Sequence, residues 1–244
     1  MKLSRTDIQV SQRLLNLIYP RRCPVCDGIT RGYDTLVCTE CRGRITFVGD
    51  PVCMRCGKPL INESPEYCAD CTKRGHLYTR GAAAFVYDSM MKDSISRFKY
   101  HNRREYADFY AGELYASSRR LLLQWDADVL IPIPVHKSKR RRRGFNQAEL
   151  IAERIGKLSG IPVRTDLLIR TKNTLPQKEL GDEGRFENLK NAFQAGQNDV
   201  DYRKAVLVDD IYTTGSTVDA AASALLGAGV GKVYFLAVCI GSDA

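Results

Sequence analysis

The sequence lacks a long hydrophobic run: no stretch of its 244 residues approaches the roughly 20 apolar residues that a membrane-spanning helix needs. The first twenty residues also lack a secretory signal pattern, because their apolar patch is short and ends at Pro20. We therefore expect no membrane span and a cytoplasmic location, where disulfide bonds are rare.

Two common nucleotide-binding signatures are also missing. The sequence contains no phosphate-binding loop with its glycines and lysine. Gly227, Gly229 and Gly231 resemble a dinucleotide-binding loop, but they follow a predicted helix and precede a predicted strand, which is the reverse of the required order. These glycines instead predict the end of a helix.

The nine cysteines are the clearest signal in the chain, because eight of them form a repeated pattern. Two C-x2-C pairs occur once and then again thirty residues later, at Cys23, Cys26, Cys38 and Cys41 and at Cys53, Cys56, Cys68 and Cys71. Such pairs present four thiolates to one tetrahedral ion, so we predict two structural zinc ions rather than disulfides or idle core cysteines. Each repeat is complete by itself, which favours one zinc per repeat over an interleaved arrangement, although the spacing leaves both open.

The pattern divides the chain into three predicted segments: an amphipathic helix over residues 1–20, a double zinc ribbon over 21–75 and an α/β domain over 80–244. The ribbon has too few apolar residues for its own core, so zinc would supply much of its folding energy. It would serve either as an interaction surface or as a structural cap. The formal net charge of +9 falls to +5 if two four-thiolate zinc sites carry −2 each, which still favours polyanionic partners.

The stretch from Val206 to Val218 joins an apolar strand, two carboxylates and a hydroxyl-rich turn. The strand is predicted to end at Val208, which places Asp209 and Asp210 at its carboxyl end. The turn opens a helix, whose N-terminal N–H groups and dipole attract an anion. The turn residues are Thr213, Thr214, Gly215, Ser216 and Thr217. A phosphate bound there would place a ribose beside the carboxylates, whereas the alternative is a capped helix that binds nothing.

A block from Lys137 to Arg143 carries six basic residues in seven and follows another predicted strand. So much charge predicts an exposed, mobile loop unless an anion orders it. Pyrophosphate with Mg²⁺ and a nucleic-acid backbone are the anions that suit it. The nucleic-acid candidates within the block are Arg140, Arg141, Arg142 and Arg143.

Arg97 and Lys99 are further nucleic-acid candidates, because they alternate with Phe98 and Tyr100 on a predicted helix. Basic residues beside aromatic ones can hold a single strand by phosphate contact and base stacking. For this segment alone, an amphipathic helix with a solvated basic face is the simpler interpretation.

Strands and helices alternate after residue 80, which predicts an α/β fold with a parallel sheet. Ligands of such sheets bind at the carboxyl ends of the strands. Asp209, Asp210 and the basic block all follow predicted strands, so we expect them to meet in one site.

The stretch from Val206 to Thr217 resembles the PRPP motif of type I phosphoribosyltransferases. This resemblance implies a parallel-sheet phosphoribosyltransferase fold, in which Asp209 and Asp210 hold the ribose hydroxyls and take part in catalysis. It implies that the turn holds the 5′-phosphate of PRPP and that the basic block is a flexible loop binding pyrophosphate with Mg²⁺. The loop residues assigned in this way are His136, Lys137, Lys139 and Arg143.

Over nearly its whole length, the chain resembles the ComF family of competence proteins. The family elements are the double zinc ribbon, Ile131-Pro132-Ile133-Pro134, Arg143-Gly144-Phe145-Asn146-Gln147-Ala148, the spaced Gln177, Leu180, Arg185 and Asn188, and the PRPP motif. The chain departs from the family at His101-Asn102, where many members have a basic residue and glycine. The family implies a role in natural transformation, in which single-stranded DNA enters the cytoplasm with a helicase-like ATPase and DNA-processing proteins, and it implies PRPP binding.

Two hypotheses from different classes follow. In a phosphoribosyltransferase of nucleotide or base salvage, an acceptor nucleophile would attack ribose C1′ of PRPP and pyrophosphate would leave, but no residue identifies a general base or the acceptor. A binding protein would instead sense PRPP while its zinc ribbon and basic segments contact DNA and the uptake machinery. We favour a PRPP-binding competence protein and keep salvage as the alternative.

Overall fold

The computed structural model describes residues 20–30, 35–61, 65–171, 192–196 and 201–242. All but the last residue of the helix predicted over 1–20 lies outside these ranges. The Gln177–Asn188 family element also lies outside them.

A four-stranded parallel sheet forms the centre of the α/β domain. Its strands are β1 (Arg80–Val86), β2 (Val129–Pro132), β5 (Lys204–Tyr212) and β6 (Lys232–Ile240), and they lie in the order β1-β6-β5-β2. A separate antiparallel pair is formed by β3 (Leu168–Arg170) and β4 (Phe193–Ala195). The central strands are apolar runs buried on both faces, as parallel strands usually are. The predicted parallel α/β sheet is confirmed.

Helices cover both faces of the sheet. In chain order they are α1 (Thr39–Arg42), α2 (Ala69–Lys73), α3 (Ser89–Tyr100), α4 (Tyr106–Trp125), α5 (Lys137–Arg143), α6 (Gln147–Ser159) and α7 (Ser216–Gly227). One core cluster joins α3, α4 and α6 to one face of the sheet, and a second joins α7 and the β3–β4 pair to the other.

The two zinc ribbons pack on different faces of this sheet. Cys23 and Cys41 of the first ribbon belong to the core cluster of α3 and α4, whereas Cys53 and Cys56 of the second belong to the cluster of α7. Each ribbon therefore shares a core with the α/β domain, as expected of a segment with few apolar residues of its own.

The segments that follow the ribbons also differ. We call residues 46–48 the first tail and residues 76–79 the second tail. The first tail lies along the free edge of β1, where Val48 N donates to Ala84 O at 2.9 Å and Val86 N donates to Thr46 O at 2.9 Å. The second tail runs directly into β1.

Two local predictions were wrong. The basic block is the helix α5 rather than a mobile loop: His136 Nδ1 accepts from Ser138 N at its start, and Gly144 ends it with φ 78°. Local capping and contacts to neighbouring helices thus compensate for the repulsion within the block. Strand β5 continues beyond Val208 to Tyr212, because it stays paired with β6 as far as Ile240.

Candidate functional site

Asp209 and Asp210 lie near the carboxyl end of β5, half-buried and in contact with each other. Asp210 N donates to Asp209 Oδ1 at 2.8 Å, and Lys99 Nζ donates to Asp210 Oδ1 at 2.8 Å. Burial, followed by the negative charge of Asp210, raises the pKa of Asp209 to about 7. A hydroxyl donor or a cation beside Asp209 would favour its ionised form, so the pair is suited to ribose or a metal-bound ligand.

A group of cations lies next to this acidic pair, and the charges of two of them, Lys99 and Arg170, act to lower the pKa of Asp209. Burial lowers the pKa of Lys139, and the charges of Arg170, Arg143, Arg142 and Lys99 lower it further. Burial also lowers the pKa of Arg170, while the charge of Asp209 opposes that effect. Cations that lower one another's pKa lie close together, and a multiply charged anion would complement their charge.

The helix α5 carries Lys139 and Arg143 among these cations, and their role in binding pyrophosphate stays a prediction. Arg170 was not predicted. It comes from β3, and its guanidinium lies 5.3 Å from the centre of the Phe193 ring on β4. The sequence carried no signal for it, because only the folding of the β3–β4 pair brings Arg170 towards Asp209.

The hydroxyl-rich turn opens α7 beside the acidic pair. Gly215 is the N-cap with φ 83°, a left-handed conformation that favours glycine, and it offers no side chain to the first N–H groups of the helix. Thr214 Oγ1 and Ser216 Oγ lie 3.0 Å apart. The turn lines an open depression with an empty volume of about 210 Å³, between Ile211 and Val218. A helix N-terminus and hydroxyl groups in one depression can bind a phosphate group.

An aromatic and basic surface lies where α3 and α5 meet. The Tyr100 ring is 54% exposed, and the guanidinium carbons of Arg142 and Arg143 lie 5.8 and 4.9 Å from its centre. Arg143 Nη2 also donates to Tyr100 Oη at 3.0 Å. An exposed ring flanked by guanidinium groups can stack a nucleobase.

Other predicted residues have partners within the protein. The Arg97 guanidinium donates to the Val25 carbonyl of the first ribbon, and Lys99 pairs with Asp210. Both face inward, so we no longer regard them as nucleic-acid contacts. Arg140 pairs with Glu149 at 3.2 Å on the exposed side of α5, while Lys137 and Arg141 are exposed.

The eight repeated cysteines form two clusters, and each cluster contains the four cysteines of one repeat. Within a cluster, the four Sγ atoms lie within 4.8 Å of one another. Cys26 and Cys38 Sγ are 3.8 Å apart, and Cys56 and Cys68 Sγ are 3.6 Å apart. Zinc–sulfur bonds of about 2.3 Å place tetrahedral ligands about 3.8 Å apart, so both clusters fit a structural zinc ion.

The second cluster already favours a thiolate. Hydrogen bonds from the thiols of Cys56, Cys68 and Cys71 lower the pKa of Cys53. Thiolates are the form in which cysteines bind zinc.

His76 follows the second ribbon, and the structure buries its side chain to 1% exposure. Its Nδ1 lies 2.7 Å from Asp219 Oδ2, in the first turn of α7. No pattern in the sequence links two residues so far apart.

Known proteins resemble this chain in its zinc-ribbon segment and over most of its length. Residues 14–72 match the family described as Double zinc ribbon domain. Competence protein F of Haemophilus influenzae is 30% identical over 220 residues, covering 87% of this chain and 93% of that protein. Competence protein ComFC of Bacillus subtilis is 30% identical over 202 residues, covering 80% of each. The DNA utilization protein YhgH of Escherichia coli K12 is 30% identical over 83% of this chain and 89% of that protein.

A solved structure of a purine phosphoribosyltransferase from Pyrococcus horikoshii aligns with 54% of this chain and 82% of that chain, at 13% identity and a TM-score of 0.35. Among the helices of the described residues, we find none with the length and apolar character that a bilayer crossing requires.

Proposed function

The chain belongs to the ComF family of competence proteins, and from that premise we propose that it binds PRPP with Mg²⁺ and assists the uptake of single-stranded DNA. One observation carries the PRPP proposal. A carboxylate pair, a hydroxyl-rich turn at a helix N-terminus and a group of cations lie at the carboxyl end of β5 or next to it.

Each part of PRPP has a chemical counterpart in this site. The 5′-phosphate would bind the N–H groups and hydroxyls of the turn around Gly215. The ribose hydroxyls would donate to Asp209 and Asp210. The pyrophosphate would lie among the cations led by Lys139 and Arg170, and Mg²⁺, when bound, would neutralise part of its charge.

Phosphoribosyl transfer in nucleotide or base salvage is the second candidate. In this reaction, the bond between ribose C1′ and the pyrophosphate oxygen breaks, pyrophosphate leaves with the electron pair, and a nucleophile bonds to C1′. The group of cations favours it, because they would stabilise the departing charge. Release of pyrophosphate in the presence of a nucleobase would identify this activity.

The PRPP proposal is tested by calorimetric titration of the zinc-loaded protein with Mg²⁺–PRPP. Replacing both carboxylates, Asp209→Asn with Asp210→Asn, should weaken binding by about a hundredfold, because two charged hydrogen-bond acceptors are lost. Asp201→Asn is the control, since Asp201 is an exposed carboxylate just before the same strand. If the unaltered protein does not bind Mg²⁺–PRPP, the proposal fails.

The DNA part of the proposal rests on the exposed Tyr100 ring and the guanidinium groups beside it. The names of the relatives, which refer to competence and DNA utilization, agree with it. Binding is measured by fluorescence anisotropy with a labelled single-stranded oligonucleotide at several salt concentrations.

Replacing Arg141 and Arg142 with alanine should weaken DNA binding and reduce its salt slope by about one to two. Replacing Arg119 and Arg120, an exposed pair on α4, removes the same charge from a different surface and serves as the control. Equal affinity of the Arg141–Arg142 variant and the unaltered protein at low salt would contradict a DNA role for this surface.

A further inference from the structure

The second tail packs against the hydroxyl-rich turn, residues 213–217, which we call the phosphate turn from here on because of its proposed ligand. If a Cβ atom were built on Gly215, it would lie 2.8 Å from Tyr212 Oη and 3.0 Å from His76 Cε1. Tyr212 Oη is in turn 2.5 Å from Tyr78 Oη, and the rings of His76 and Tyr78 stack at 4.8 Å. His76 and Tyr212 thus form the floor of the turn, and any shift of the tail would reach the backbone that is to bind phosphate.

Asp219 fastens this tail to α7. Its Oδ2 lies 2.7 Å from His76 Nδ1, and its Oδ1 accepts from Leu77 N at 2.9 Å. The backbone N–H of Asp219 also donates to Gly215 O at 2.8 Å, within the first turn of the helix. The residue that closes the phosphate turn is therefore the residue that holds the second tail.

The position of Asp219 raises an electrostatic difficulty for an anion site. A carboxylate in the first turn of a helix is stabilised by the helix dipole and competes with a bound anion for the same positive potential. It would also repel a phosphate directly. A free carboxylate at this position would weaken phosphate binding.

His76 and Leu77 reduce this repulsion, because each of them donates a hydrogen bond to one oxygen of the Asp219 carboxylate. Because the partner of His76 Nδ1 is a carboxylate, Nδ1 carries the proton and donates. The Asp219 side chain is 14% exposed, so neither solvent nor rotation competes strongly with these two hydrogen bonds. The His76 side chain, at 1% exposure, is held between its stacking partner and the turn.

From this arrangement we infer that His76 is a positioning residue for the phosphate turn: it holds the Asp219 carboxylate away from the anion and supports the backbone at Gly215. The inference rests on the proposed binding of PRPP and goes beyond it by assigning a residue outside the PRPP motif. His76 touches no ligand in this role and acts through Asp219 and Gly215.

The test compares four proteins by calorimetric titration with Mg²⁺–PRPP: unaltered, His76→Ala, Asp219→Asn, and the double variant. His76→Ala should weaken binding by about tenfold, because it frees the carboxylate beside the anion. Adding Asp219→Asn to His76→Ala should recover most of that loss, since no charge remains to repel phosphate. Thr46→Ala is the matched control, because Thr46 stands thirty residues before His76 in the first tail, away from the turn.

A purely structural role for His76 predicts a different pattern, in which the double variant is at least as impaired as His76→Ala. That result, or unchanged affinity in His76→Ala, overturns the inference while leaving PRPP binding intact. Failure of the unaltered protein to bind Mg²⁺–PRPP overturns the proposed function and this inference together. Zinc content and thermal midpoint, measured for all variants, show whether each remains folded and loaded.

Discussion

The two zinc ribbons share one cysteine spacing but support opposite sides of the candidate site. The first contacts α3 and the loop between α3 and α4: Ser94 Oγ donates to Pro24 O at 2.7 Å, and Arg103 Nη2 donates to Asp27 Oδ2 at 2.9 Å. These contacts flank Lys99 and Tyr100, on the cationic side. The second ribbon, through its tail, supports the phosphate turn. The two copies of the ribbon thus contact two different halves of the candidate site.

One pair of equivalent residues shows how the copies diverged. Asp27 and Gly57 occupy the same place in their repeats, and both have left-handed backbones, with φ of 60° and 78°. The carboxylate of Asp27 binds Arg103 and Tyr106. At Gly57, a Cβ atom would lie 2.8 Å from Gly81 O, so only glycine fits. The cysteines preserve the ribbon fold in both copies, and the residues between the cysteines determine what each copy contacts.

The largest effects should follow loss of one zinc at a time, through Cys41→Ser or Cys71→Ser. If each ribbon supports its own half of the site, Cys71→Ser should weaken ribose 5-phosphate binding at least about tenfold more than pyrophosphate binding. Cys41→Ser should show the opposite preference. Calorimetry with both probes, beside a zinc assay showing one retained ion, makes the measurement. Equal losses of affinity for both probes would refute the hypothesis that each ribbon supports its own half of the site.

Exchanging the divergent pair should have the next largest effect. Gly57→Asp should lower the free energy of unfolding by about 3 kcal/mol, because it combines a left-handed backbone with a backbone clash. Asp27→Gly should lower it by about 1–2 kcal/mol through lost charged hydrogen bonds. Urea unfolding gives both values. Gly49→Asp is the control, since a Cβ atom there meets nothing within 4 Å; comparable losses in the control would refute the packing argument.

The contribution of Asp27 to stability should depend on pH. Burial opposes ionisation of Asp27, but the Tyr106 hydroxyl and Arg103 together hold its pKa below the usual range. A lowered pKa in the folded state means that this stabilisation is present above the unfolded value of about 4 and disappears as pH falls. The destabilisation by Asp27→Gly, measured by urea unfolding, should therefore shrink in acid; a constant difference between pH 7 and pH 3 would count against it.

The smallest effect concerns Asp209, which lies between the two halves. With a pKa of about 7, it is partly protonated at neutral pH, and in the proposed complex the ribose hydroxyls would donate to its ionised form. Affinity for Mg²⁺–PRPP should therefore rise about tenfold from pH 6 to pH 8, as the proton is lost. The Asp209→Asn variant shows how much of the rise in affinity comes from ionisation of the ligand's own phosphates. An equally steep rise in that variant would exclude Asp209 as the cause.

Local patterns in the sequence predicted much of this architecture. The thirty-residue cysteine repeat predicted two four-thiol clusters, and the run into Asp209 and Asp210 predicted the strand, turn and helix. Both depend on neighbours in sequence. The PRPP and nucleic-acid roles stay predictions.

Long-range contacts account for what the sequence did not reveal. Arg170 approaches Asp209 only through the β3–β4 pair, and His76 meets Asp219 across 143 positions. The composition of the basic block predicts a loop, because so many like charges cannot pack in a core. Its helix depends on the His136 cap and on the contact of Arg143 with Tyr100.

The first tail has a consequence for how the protein behaves without metal. Residues 46–48 occupy the hydrogen-bonding edge of β1, which would otherwise present unpaired N–H and C=O groups. Such an edge is a template for strands of other molecules. Because Ile45, just before the tail, packs in the same core as Cys23 and Cys41, removal of the first zinc would loosen this cover. We therefore expect that loss of the first zinc would favour self-association through this edge of the sheet.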